Sequence, residues 1–151
     1  MACSSSSLVT ANFASLLRRS LSAAVLWAMA GGAMAESGPT TVVTFWATWC
    51  ANCGEVLQDM DQVQQDFSGQ NVVFATAHLG EDPRADAQLA KYQVQMQKLH
   101  NGSELAARMD VTAVPWVVVL DAEGRIIDSP SATARPAQVA EQTRIALNLS
   151  I

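Results

Sequence analysis

Trp46-Ala47-Thr48-Trp49-Cys50-Ala51-Asn52-Cys53 joins an uncharged, β-branched and aromatic run, Thr40 to Trp46, to a segment with helical periodicity. The run has the composition of a strand buried on both faces of a sheet. In the helical segment Cys53, Val56, Leu57, Met60, Val63 and Phe67 share one stripe, opposite Glu55, Asp59, Gln62 and Asp66. Cys53 is therefore expected to face the core, and Cys50 to sit in the exposed first turn. A helix start offers free backbone N–H groups and a partial positive charge, which favour a thiolate over a thiol. Two thiols at this spacing serve redox exchange, metal binding or an inert disulfide, and the supply of further ligands separates these uses.

Working outward, Ser68-Gly69 ends the helix and Asn71 to His78 reads as a second apolar strand, so the three elements form a βαβ unit with parallel strands. Glu81-Asp82-Pro83 is expected to open a helix, with proline in the first turn and the acids serving its dipole. Ala85 to Leu99 fits a helical stripe, yet Tyr92, Val94 and Met96 also alternate with glutamines as in a half-buried strand. Ser103 is placed to cap a short helix through Met109. Trp116 to Leu120 and Arg125 to Asp128 form an antiparallel hairpin about the turn Asp121-Ala122-Glu123-Gly124, and a last helix spans about Pro136 to Leu149.

Upstream, Arg18-Arg19 precedes the apolar run Leu21 to Met34, and Ala33-Met34-Ala35 has the small-x-small form of a cleavage site. Residues 1–35 are thus expected to be a signal peptide directing export to the periplasm, and residues 36–151 the domain. An uncleaved segment would act as a membrane anchor instead, although it is shorter than the ~20 residues of a spanning helix. Cleavage removes two of nine basic residues and none of fourteen acidic ones, taking the formal net charge from −5 to −7. So acidic a domain, without a basic run, is not expected to bind nucleic acid. Cleavage also removes Cys3 and leaves Cys50 and Cys53 as the only thiols.

The order of these elements, the stretch Phe45 to Cys53, Val114-Pro115 about sixty residues later and the turn Asp121 to Arg125 together resemble the thioredoxin fold. More narrowly they resemble exported thiol–disulfide oxidoreductases of the TlpA/ResA type, from about Thr41 to Ile127. The resemblance implies an α/β three-layer sandwich, with a central mixed sheet flanked by helices and an inserted βα unit. The insertion places a helix to about Lys91 and a strand over Val94 to Leu99. It implies Cys50 as nucleophile and Cys53 as resolving thiol. Pro115 matches the family's cis-proline, and Val114 would offer its backbone to substrate. Trp49 and Trp116 would flank the thiols, either as apolar packing or as a stacking platform for a substrate peptide. The implied partners are a protein disulfide and an integral-membrane thiol–disulfide electron transporter, with no cofactor and no bound metal.

Several residues depart from the family pattern. Ala51-Asn52 lacks the proline usual before the second cysteine, and Gln58 replaces a helix-kinking one. Thr44 stands where a buried acid often assists the resolving thiol, and a hydroxyl is no base near neutral pH. Glu55 is close in sequence but on the outward stripe. The direction of exchange, reductase against oxidase or isomerase, is therefore not fixed by the motif. A copper-handling module is the alternative from another class, with Met60, Met96 and Met109 as soft sulfur donors or as core packing. Zinc would need His78 and His100 beside the thiols, and their spacing indicates no closed site. His78, at the end of the second strand, either tunes the thiols or is a solvated strand end.

Overall fold

A five-stranded sheet of order β3-β2-β1-β4-β5 carries the domain, and the strand predicted to be buried on both faces is at its centre. The computed structural model describes residues 38–130 and 135–151; the expected signal peptide lies outside them. The strands are β1 (Thr40–Trp46), β2 (Val72–His78), β3 (Gln97–Leu99), β4 (Trp116–Leu120) and β5 (Ile126–Asp128), and the helices α1 (Cys53–Asp66), α2 (Ala85–Tyr92), α3 (Gly102–Arg108) and α4 (Pro136–Ser150). β1 pairs in parallel with β2 and antiparallel with β4, β3 extends the parallel side, and β4–β5 is the expected antiparallel hairpin.

Alternation along β1 divides the core. Val42 and Trp46 join Val117 and Val119 under Cys53, Val56, Leu57, Met60 and Val63 of α1, with Leu89 of α2 and Leu147 of α4. Val43 and Phe45 face the other way, onto Ala106 of α3 and Val118 of β4. Helix, sheet and helix thus form the three layers expected of a thioredoxin-like α/β sandwich. An ion pair from Arg144 of α4 to Asp66 at the end of α1, 2.9 Å, ties the two long helices together.

Three local expectations are corrected. The strand expected over Val94 to Leu99 shrinks to Gln97–Leu99. Before it, Gln93 adopts φ 58°, the Gln95 N–H is taken by Asp61 of α1 at 2.7 Å, and Met96 is sunk in the core. Ser103 does not cap α3. The N-cap residue is Asn101, in the left-handed region and without a side-chain cap bond, while Ser103 Oγ accepts the Gly80 N–H at 2.8 Å. Gly102 explains that shift: α3 starts so close to the end of β2 that a Cβ here would fall 2.1 Å from the His78 carbonyl oxygen. Finally, α2 begins at Ala85, and Asp82 lies in the loop before it.

Candidate active site

β1 runs antiparallel to β4, with Phe45 opposite Trp116, so the chain leaves β1 at the same end of the sheet where Val114-Pro115 enters β4. This topology brings together the two motifs that lie about sixty residues apart in sequence. The Val114–Pro115 bond is cis, and Val114 packs against the core cluster that contains both cysteines. Pro115 and Trp116 are half-buried. The indole N–H of Trp116 donates to Ser129 Oγ at 2.7 Å, beyond the end of β5.

Cys50 and Cys53 are joined in a disulfide, with their Cα atoms 5.5 Å apart. Cys50 lies in the turn ahead of α1 rather than in its first helical turn. The Cys50 N–H donates to Ala47 O at 3.1 Å, and the Cys53 N–H returns to Cys50 O at 3.4 Å. α1 opens at Cys53, so the positive end of its dipole lies beside the pair, which is the electrostatic setting for a stabilised thiolate. Cys53 is fully buried, as its helical stripe requires, whereas Cys50 is only 9% exposed and so more covered than expected. Trp49 beside it is 73% exposed. Glu55 points to solvent, Met60 and Met96 are core, and half-buried Met109 packs on the second cluster. Among the described residues no group of three or more His, Cys, Asp or Glu side chains is arranged to hold a metal.

Thr44 is completely buried, on the β1 face that also carries Val42 and Trp46 beneath α1, and its Oγ1 has no hydrogen-bond partner. Its register partner on β2, Thr76, is buried with an unpartnered hydroxyl as well. Glu55, the carboxylate nearest to Cys53 in sequence, is exposed and does not take the place of a buried acid.

The residues that sequence reasoning missed hold the turn from outside. Thr48, two residues before Cys50, donates its N–H to His78 Nε2 at 3.1 Å and its hydroxyl to Asp82 Oδ2 at 2.5 Å. Gln88 Nε2 lies 3.5 Å from the Thr48 carbonyl oxygen and 3.1 Å from the Tyr92 hydroxyl. The Tyr92 ring closes over Gly54, where a Cβ would come within 2.7 Å of it. His78 thus supports the turn through its ring rather than standing as a solvated strand end. Asp82 is also more than a helix-start charge. The Arg84 guanidinium holds its carboxyl well below the usual carboxylate range, helped by the Thr48 hydroxyl and the Arg84 N–H. No sequence signal links Thr48 to these partners except the cluster of polar residues following β2.

A thioredoxin-like family profile matches residues 38–126. Solved structures with the same fold include a thiol:disulfide interchange protein of the thioredoxin family from Chlorobium tepidum, 23% identical, with a TM-score of 0.61 over 74% of this chain and 81% of that one. StoA from Bacillus subtilis is 18% identical, with a TM-score of 0.59 over 72% and 85% of the two chains. A secreted disulfide oxidoreductase from Mycobacterium tuberculosis, homologous to DsbE of E. coli, is 21% identical, with a TM-score of 0.57 over 72% and 83%. At these identities the likeness is one of fold. No curated protein matches the sequence.

Proposed function

Since the chain belongs to the thioredoxin-like family, we propose that it is a thiol–disulfide oxidoreductase that is exported and reduces disulfides in partner proteins. The observation that carries this reading is the Cys50–Cys53 disulfide at the start of α1, Cys53 fully buried and Cys50 9% exposed, at the sheet end shared with cis-Pro115. In the reduced protein, Cys50 as thiolate attacks one sulfur of the partner disulfide. That disulfide breaks, its leaving sulfur takes up a proton, and a mixed disulfide forms. Cys53, having lost its proton, attacks Cys50 Sγ and expels the partner's second thiolate. The partner gains two electrons and the protein returns to the disulfide form.

Burial suits the division of labour. A fully enclosed Cys53 meets Cys50 but no external disulfide. Trp49, exposed beside Cys50, and Val114, Pro115 and Trp116 at the same end of the sheet would together receive an extended substrate segment. Each turnover consumes two electrons, so a reductase in an oxidising compartment needs a donor, for which an integral-membrane thiol–disulfide transporter is the partner class. The pattern of Arg18-Arg19, the apolar run and Ala33-Met34-Ala35 supports export to the periplasm, and the M. tuberculosis neighbour is itself secreted. Among the described residues no helix is long and apolar enough to cross a membrane.

Two measurements test the reading. Cys53→Ser should accumulate mixed disulfides through Cys50 in cells, and Cys50→Ser should accumulate none. The reduction potential should lie below that of protein disulfide isomerase, about −180 mV; a value well above it overturns the reductive direction.

A further inference from the structure

Thr48 has three polar groups, and each meets a side chain from a stretch 30 to 40 residues downstream: His78 at the N–H, Asp82 at the hydroxyl, Gln88 at the carbonyl. The His78 contacts also fix its state. Nδ1 lies 2.9 Å from the Gly80 carbonyl oxygen, which only accepts, so Nδ1 carries the hydrogen. Nε2 is then a bare lone pair, as the Thr48 N–H requires. The ring is further held edge-on to Trp46, with centroids 4.7 Å apart, and Gly80 is anchored by Ser103.

We propose that His78, Asp82 and Gln88 are positioning residues that clamp Thr48, and through it the turn bearing Cys50, and that the clamp closes only while the His78 imidazole is neutral. This deepens the exchange reading and rests on it. A second proton would place an N–H at Nε2 against the Thr48 N–H, turning the bond into a repulsion. The turn is then free to leave the arrangement that holds Cys50 at the N-terminal end of α1, and the thiolate loses that stabilisation. Other titratable groups line the same cleft at the carboxyl ends of β1 to β3: Glu81 and Asp82 before α2, Asp86 on it, Lys98 and His100 at β3, and Glu104 on α3. Asp86 is paired with Lys98, Asp82 with Arg84 and Glu104 with Arg108, so most of this charge is internally compensated. The hydrogen-bond pattern at the ring therefore decides the response.

The test is the rate at which iodoacetamide alkylates Cys50 in the fully reduced full-length protein between pH 5 and 9, resolved from Cys53 by fragment mass spectrometry. The wild type should show a second inflection besides the thiol's own. His78→Gln, whose amide oxygen can take the Nε2 place and does not titrate, should lose that inflection. Thr48→Val, which keeps the shape and deletes the hydroxyl bond to Asp82, should slow alkylation near neutral pH about three- to tenfold, and Thr48→Ser should restore it. A wild-type profile that matches His78→Gln, or a Thr48→Val rate equal to wild type, overturns the clamp. Insulin reduction measured on the same samples separates the two claims. Exchange without the inflection removes the clamp alone, and the inflection without exchange removes the catalytic reading alone.

Discussion

The Cys50 turn has two unlike flanks. On the β2–α2 side it is held by Thr48, His78, Asp82 and Gln88, and that side is braced in turn by Gly80, Ser103 and Gly102. On the β4 side stand Val114, Pro115 and Trp116, half-buried and apolar, with the Trp116 indole bonded to Ser129. Polar bonds to one residue fix a geometry, whereas an apolar wall with a cis-proline accepts a chain without dictating its side chains. The exchange proposed above would use both properties beside one sulfur.

The sharpest way to break the contrast is Gly102→Ala. Its Cβ would collide with the His78 backbone, which cannot swing aside, so the pinned flank should lose about 3 kcal/mol of stability in urea unfolding. A loss below about 1 kcal/mol would mean that β2 and α3 part easily and that this flank is not rigid. A smaller effect of opposite sign is expected between the flanks. Thr44→Val replaces a buried, unpartnered hydroxyl by a methyl of nearly equal size and should stabilise the oxidised protein by about 1 kcal/mol.

Trp116→Phe on the open flank deletes the bond to Ser129 and trims part of the ring's packing on the second cluster. It should cost less than about 1 kcal/mol while raising KM for protein disulfides more than it lowers kcat. The smallest expected effect is in the pH dependence of stability. Asp82 has a folded pKa depressed below its unfolded value, so its contribution is complete above about pH 5 and is lost as pH falls through and below the ordinary carboxylate range. Urea midpoints of wild type and Asp82→Asn should therefore differ at pH 6 and converge toward pH 2.

Legibility followed the range of the forces. α1 was readable because burial imposes a helical period on neighbouring residues, β1 and β2 because strands covered on both faces are continuously apolar, and the β4–β5 hairpin because its turn residues mark it. Cys50, Cys53 and Val114-Pro115 were readable because redox spacing and the family resemblance mark them. β3 was overestimated because Val94 and Met96 alternate like strand residues, while Asp61 on α1 captures the Gln95 N–H. Ser103 looked like a cap, but its hydroxyl serves Gly80. Both errors arise where a polar group chooses a distant partner over a local one.

The sequence by itself determined the elements on either side of Ala85 to Leu99, a first strand buried on both faces and a core-facing Cys53, which follow from local composition and periodicity, while the family resemblance implied the inserted βα unit and the reactive role of Cys50. Only the tertiary structure decided what holds the reactive turn in place. Nothing in the linear chain joins Thr48 to His78, Asp82 and Gln88, and their bonds exist because parallel pairing sets Trp46 opposite His78 and carries the β2–α2 loop to the end of β1. Hydrogen bonds are short and directional, so they leave no periodic trace in a sequence and are settled only when packing brings donor and acceptor within about 3 Å.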